Sequence, residues 1–189
     1  KIQAGKMHIE NIPFNLRELL EDIASLYVMT TKLNGETEFV LDIHADVPTW
    51  VSGDPMRLKQ ILTNYLNNAV KFTTRGRIVL TASVEADQRL RFAVTDSGIG
   101  ISEEGLARLF QSFCQTTTDT ARKYGGTGLG LSICKKLSQL MGGDVGASST
   151  LGQGSTFWCT VTMPACTAPI IGSSHTQTRS ENIHTLQVL

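Results

Sequence analysis

Asn64, Asn68 and Lys71 are spaced i, i+4, i+7, so on a helix they share one polar stripe. Two carboxamides and an ammonium aligned in this way suit a metal–phosphate ligand. An Asn side-chain oxygen can complete the shell of Mg²⁺, which keeps several waters and takes its other ligands from phosphates. Lys71 supplies a point charge to a phosphate oxygen. The same stripe also fits the solvated face of an amphipathic helix. Asp96-Ser97-Gly98-Ile99-Gly100 follows a strand-like alternation. Its glycines let the backbone approach a ligand closely. The Asp96 carboxylate accepts from an exocyclic amine such as that of adenine and faces a carbonyl oxygen in guanine, a buried mismatch that discriminates. Alone, the segment also reads as an ordinary turn.

Gly125-Gly126-Thr127-Gly128-Leu129-Gly130 opens a helical pattern. Such a turn offers unpaired N–H groups and the positive end of the helix dipole to phosphate. There is no GxxxxGK followed by Ser or Thr, which excludes a P-loop, and no preceding βαβ strand, which argues against the dinucleotide fingerprint. Arg122, Lys123, Tyr124 and the Thr-rich stretch 115–121 lie ahead of it, with the make-up of a lid over a nucleotide or of a plain surface loop. Gly152-Gln153-Gly154-Ser155-Thr156-Phe157 reads as a hairpin turn. Its Thr156 hydroxyl is available to a base, or to Asp96 if the sheet brings the two together.

The elements that must carry these residues are marked by their ends. Asp54 as N-cap and Pro55 at the first helical position start a helix that reaches about Thr73. Leu58, Ile61, Leu62, Tyr65, Ala69 and Phe72 form its sheet-facing stripe. Upstream, residues 7–12 are a short strand candidate. Asn15 with Glu18 makes a capping box, and Phe14 with Leu19 a hydrophobic staple, for a helix to about residue 31. Phe39, Leu41 and Ile43 alternate as one strand face. Residues 77–86 and 90–96 read as a hairpin around Asp87-Gln88-Arg89, with a short helix from Ser102 after the Asp96 loop. Leu129, Ile133, Leu137, Leu140 and Met141 are the apolar positions of the next helix, closed by Gly142-Gly143. Strands near 144–149 and 155–163 follow. From Ala165 the chain is Ser/Thr/Gln/His-rich and reads as a linker or tail over 165–189. This order predicts an α/β two-layer sandwich, with a mixed, mostly antiparallel sheet covered by helices on one face.

At 189 residues and 41% apolar, the chain is long enough for one domain with a core. Lys and Arg equal Asp and Glu at 17 each, which argues against a nucleic-acid partner. Cys114, Cys134, Cys159 and Cys166 show no zinc-like spacing and read as reduced, mostly structural thiols. No segment approaches the roughly 20 apolar residues needed to span a bilayer, and no signal peptide opens the chain, so a cytoplasmic fragment without membrane contact is expected. The chain opens without Met and is expected to be cut from something longer.

In order and spacing the motifs resemble those of sensor histidine kinases. Asn64-Tyr-Leu-Asn-Asn68-Ala-Val-Lys71-Phe72-Thr73 resembles their N-box, Asp96-Ser-Gly98-Ile-Gly100-Ile the first glycine box, and Leu109-Phe110-Gln-Ser-Phe113 the F-box. Gly126-Thr-Gly128-Leu-Gly130-Leu-Ser resembles the second glycine box and Gly152-Gln-Gly154-Ser-Thr-Phe the third. The likeness covers about 1–164. It implies the Bergerat-type fold, ATP with Mg²⁺, Asn68 as metal ligand, and Asn64 and Lys71 on the phosphate–metal cluster. It further implies Asp96 as reader of the adenine amine, with Gly98 and Gly100 shaping its pocket. Gly126, Thr127, Gly128, Leu129, Gly130 and Leu131 would cradle the phosphates, Thr156 would lie on the nucleotide, and Phe110 and Phe113 would anchor the lid. Arg122-Lys123-Tyr124 resembles the end of a hybrid-type lid.

Residues 1–6 resemble the last turn of the dimerisation and phosphoacceptor domain, leaving 7–164 as the catalytic domain. No acceptor-histidine box is present, and His8 lies where the family begins its first strand. The resemblance therefore implies a fragment, monomeric itself, that donates the γ-phosphoryl to a histidine on a separate domain of a dimeric parent, with a receiver domain downstream. That parent would be membrane-anchored. Related ATPases place a Glu base where Asn64 stands, and Asn cannot take a proton. The alternative is a regulatory module that binds nucleotide without phosphotransfer.

Overall fold

Residues 8–34, 36–109 and 130–170 are described in the computed structural model. The helix bearing the asparagines, α2 (Pro55–Phe72), starts where its cap dictates. Asp54 Oδ1 accepts from the Arg57 N–H at 3.0 Å, and Oδ2 accepts from the Glu10 N–H at 3.0 Å. One carboxylate thus satisfies a free helix-end donor and ties the N-terminal segment to the helix. Asp54→Ala is expected to lower stability by about 1–2 kcal/mol, read as a shift of the denaturant midpoint at unchanged slope. Leu58, Ile61, Leu62, Tyr65 and Ala69 are buried as the stripe requires, with Leu66 added and Phe72 half-buried.

Helix α1 (Leu16–Asn34) is capped by Asn15 Oδ1, which accepts from the Glu18 N–H at 3.1 Å. Tyr27 on α1 donates to Asn67 Oδ1 at 2.7 Å and so fastens α1 to α2. The strand expected at 7–12 lies later, as β1 (Ile12–Asn15), paired antiparallel with β3 (Trp50–Gly53). Pro13 reads as a break in sequence, yet in an edge strand a missing N–H is tolerated. Beyond β3's other edge, the Ser52 N–H donates to Pro164 O and the Cys166 N–H to Trp50 O, each at 2.9 Å. Ordered pairing therefore runs through Ala165 and Cys166, past the expected start of the tail.

The main sheet has five strands in the order β2-β4-β5-β7-β6: β2 (Thr37–Ile43), β4 (Gly76–Val84), β5 (Leu90–Asp96), β6 (Val145–Thr150) and β7 (Gly154–Val161). Only β2 and β4 pair in parallel. The hairpin turn falls where expected, with Gln88 at φ 66° and the Glu85 N–H bonded to Arg89 O. Alternation sends Ile78, Leu80, Phe92, Val94, Phe157, Cys159 and Val161 to one face, where they join the helices' buried stripes in one core. α1, α2 and α4 (Gly130–Leu140) pack on that face. The short α3 (Glu103–Arg108) is capped by Ser102 and lies beside β6.

α4 ends at Gly142, which sits at φ 77° while the Gly143 N–H reaches back to Ser138 O. Of the apolar positions expected on it, Leu137 and Met141 are buried and Ile133 packs against the core, while Leu140 does not. Cys134, Leu137, Ser138 and Met141 face the core, and Leu140 is 47% exposed. The expected and the buried sets share Leu137 and Met141, and the core-facing stripe is completed by Cys134 and Ser138 in place of Leu140. Ser138 is tolerated inside because its hydroxyl donates to Thr160 O at 2.6 Å, with Asp144 O a second acceptor within reach at 2.9 Å. Leu140→Ala is expected to change stability by no more than about 0.5 kcal/mol, measured by the same denaturant titration. Cys134, Cys159 and Cys166 are free thiols. Burial pushes the Cys134 thiol up to about 12 and Cys159 higher still, as inert core residues require.

Candidate nucleotide site

Asn64, Asn68 and Lys71 are all half-buried, on the stripe of α2 that borders its core-facing side. The first residue of α4 lands on this stripe. A Cβ built on Gly130 would lie 2.4 Å from Asn64 Oδ1 and 2.9 Å from its Nδ2. Any side chain there would push the carboxamide aside, so glycine lets the N-terminus of α4 close on Asn64. Leu131, the next residue, is half-buried and packs on the hydrophobic core. Lys71 Nζ stands 5.3 Å from the centroid of the Phe72 ring.

The C-terminal end of α2 is joined to the loop after β5. The Ile99 N–H donates to Phe72 O at 3.3 Å, and a Cβ on Gly98 would sit 2.4 Å from that same oxygen. Gly98 is thus required by close approach. Gly100, at φ 70°, lies against Thr150 O and completes the loop. Asp96 is 7% exposed at the base of this loop. Its Oδ1 accepts from the Gly98 N–H at 2.8 Å and faces the Thr73 hydroxyl at 3.5 Å. Burial raises its pKa above the ordinary carboxylate value, against the opposing pull of the Gly98 and Ser155 N–H groups and Thr73. The remaining acceptor capacity of this carboxylate is what a donor on a ligand would meet.

Thr156 does not reach Asp96. Register places Ser155 opposite Asp96 and Thr156 opposite Thr95, with the two threonine hydroxyls 3.0 Å apart on the other side of the sheet. The signal for this was present in the sequence. If Phe157, Cys159 and Val161 alternate, with Phe157 inward, then Ser155 is inward and Thr156 is not. Ser155 and Thr73 are the polar neighbours of Asp96 that the motif reading missed. Phe110, Phe113, Arg122, Lys123, Tyr124, Gly126, Thr127, Gly128 and Leu129 lie outside the described residues.

The described part of the site therefore brings together α2, the Asp96 loop, the start of β7 and the N-terminus of α4. A carboxylate with spare acceptor capacity lies at one end, and two carboxamides with an ammonium lie along α2. Among the described residues there is no group of three or more His, Cys, Asp or Glu able to hold a metal alone. A carboxamide oxygen fits a cation that draws most of its shell from phosphates and water.

The family of histidine kinase-, DNA gyrase B- and HSP90-like ATPases matches residues 53–165. Sensor protein GacS of Pseudomonas syringae pv. syringae is 45% identical over 168 residues, or 87% of this chain but 18% of the relative, so the chain spans under a fifth of that protein. The structure of full-length ShkA in complex with AMPPNP is similar over 88% of this chain and 34% of that one, at 37% identity and TM-score 0.76. A nucleotide-free structure of the catalytic domain of histidine kinase ThkA is similar over 80% of this chain and 95% of that one, at 31% identity and TM-score 0.65. The mixed sheet with helices on one face thus has its counterpart in known proteins, and the chain belongs to the histidine kinase-, DNA gyrase B- and HSP90-like ATPase family, among the ATP-binding catalytic domains of histidine kinases.

Proposed function

We propose that this domain binds Mg²⁺-ATP between α2, the Asp96 loop and the start of α4, and donates the γ-phosphoryl to a histidine of a separate dimerisation and phosphoacceptor domain. The observation that carries this is the joining of the α2 polar stripe to both ends of the site: Asn64 against Gly130, and Phe72 O against Gly98 and Ile99. Asp96 accepts from the adenine amine, with Ser155 beside it. Asn68, seconded by Asn64, ligates the metal, and Lys71 contacts phosphate. Bound there, Mg²⁺ neutralises phosphate charge and orients the terminal phosphoryl. The imidazole nitrogen attacks phosphorus, the bond to the β–γ bridging oxygen breaks, and that oxygen leaves on ADP with the electron pair, while the imidazole gives up its proton. The protein's share is positioning and charge neutralisation.

Asn64 occupies the position at which the hydrolytic relatives carry a Glu base. A carboxamide does not activate water, which suits a donor that holds ATP until a histidine arrives. The partner histidine, the dimer and a downstream receiver domain belong to the longer polypeptide, a membrane-anchored parent whose ATP-binding part lies on the cytosolic side, where ATP is supplied. Among the described residues no helix is long and apolar enough to cross a membrane.

The test is to mix the domain with a phosphoacceptor domain and γ-labelled ATP. Acid-labile label on histidine is expected. ATP binding without label transfer would support a regulatory module instead, and fast steady hydrolysis would support an ATPase.

A further inference from the structure

The row of polar side chains beginning at Asp96 continues across the sheet. Asp96 pairs with Ser155 and Ser155 with Ser149, so all three project to the helix-covered face. The Ser149 hydroxyl donates to Gly154 O at 2.7 Å, lies 2.9 Å from Ser155 Oγ, and accepts from the Ile101 N–H at 2.8 Å. It thereby links the Asp96 loop, the turn before β7 and the residue beside Asp96. Counting protons fixes the direction of each bond. A serine hydroxyl has one hydrogen. That of Ser149 goes to the Gly154 carbonyl, so the hydrogen between the two serines comes from Ser155. Ser155 Oγ then has only lone pairs to present beside the carboxylate.

We propose that Ser149 is a positioning residue for purine selection: it holds the Ser155 hydroxyl as an acceptor beside Asp96. The row then offers acceptors to an exocyclic amine and no donor to a carbonyl oxygen. The inference rests on the reading above that adenine docks at Asp96. Without Ser149, the Ser155 hydrogen is free to turn into the site, where it can pair with the carbonyl oxygen of guanine. The Ile101 N–H also loses its acceptor, and the loop carrying Gly98 and Gly100 is less firmly placed.

The test is calorimetric titration of the whole chain with Mg²⁺-ADP and Mg²⁺-GDP. Wild type is expected to prefer ADP. Ser149→Ala is expected to bind ADP about tenfold more weakly, the equivalent of one net hydrogen bond, with the preference over GDP narrowed by a similar factor. Ser149→Thr, which keeps the hydroxyl, is expected to restore both. A purely structural serine would lower the affinity for both nucleotides together and leave their ratio alone. Should Ser149→Ala not fold, Ser149→Cys, a weak donor of similar shape, carries the same comparison. A folded Ala or Cys variant with the wild-type ratio overturns the inference while the adenine site stands. Wild type that binds neither nucleotide overturns the adenine site, and this inference with it.

Discussion

Asn68→Ala removes the magnesium-dependent part of ATP affinity, by roughly a hundredfold, and leaves the melting temperature almost where it was. The two halves of this expectation come from one fact, the position of Asn68 on α2. It stands four residues after Asn64 and one residue before the buried Ala69, on the polar stripe and outside the core. Its loss opens no cavity, and alanine is the better helix former by a few tenths of a kcal/mol. The carboxamide oxygen is in contrast the protein's own contribution to the metal shell, for which no carboxylate cluster stands in among the described residues. ATP titrations with magnesium and with excess chelator separate the two quantities. In the variant the two curves are expected to converge on the weaker wild-type one. If Asn68→Ala instead unfolds the domain, the face assignment of α2 is wrong.

Asp96→Asn is expected to weaken adenine nucleotides by roughly 2–3 kcal/mol, about 30- to 150-fold, the scale of a buried charge-assisted hydrogen bond. The same change is expected to leave the free domain as stable as wild type at neutral pH, or more so. Burial raises the Asp96 pKa, so the folded state keeps its proton at pH values where the unfolded chain has released it. From about pH 3.9, the ordinary aspartate value, up to that raised value, the folded state binds more protons, and stability falls as pH rises. Asparagine removes this slope and still offers Oδ1 to the Gly98 N–H. The melting-temperature advantage of the variant therefore grows with pH through that window and then stays constant. Unaltered ATP titration would take Asp96 out of the site. A melting temperature that drops at neutral pH would mean the carboxylate is held for structure.

The parts of this fold with local chemical causes were legible in the sequence. Asp54-Pro55, Asn15 as N-cap to the Glu18 N–H, and Gly142-Gly143 each set a helix end through one or two nearby hydrogen bonds, and each falls where its residues imply. The hairpin at Asp87-Gln88-Arg89 is equally local. What was misread depends on partners distant in the chain. β1 lies at Ile12–Asn15 because β3 is there to pair with it, and nothing near Pro13 announces that. Pro164–Cys166 continue the pairing because β3 has a second edge. Leu140 counts among the helix's apolar positions yet is exposed, while Cys134 and Ser138 are buried. Ser138 is inside only because Thr160 and Asp144 supply carbonyls.

The site divides the same way. Asn64, Asn68, Lys71, Asp96 and Gly98 were singled out by type and spacing, since each sits in a short motif whose chemistry is visible in one dimension, and the structure brings α2 and the Asp96 loop together. Ser155 and Ser149 were not singled out because their nearness to Asp96 arises from cross-strand register, in which a one-residue shift exchanges the two faces of the sheet. Thr156 was chosen for its hydroxyl and lies on the wrong face for Asp96.

The central claim is that a magnesium-bound adenine nucleotide occupies the junction of α2, the Asp96 loop and the start of α4. Isothermal titration of the folded protein with ATP, with and without magnesium, tests it most directly. The account predicts saturable binding at one site, tightened by the metal. Absence of any binding heat or competition at millimolar ATP or ADP, from protein with an intact melting transition, would contradict it.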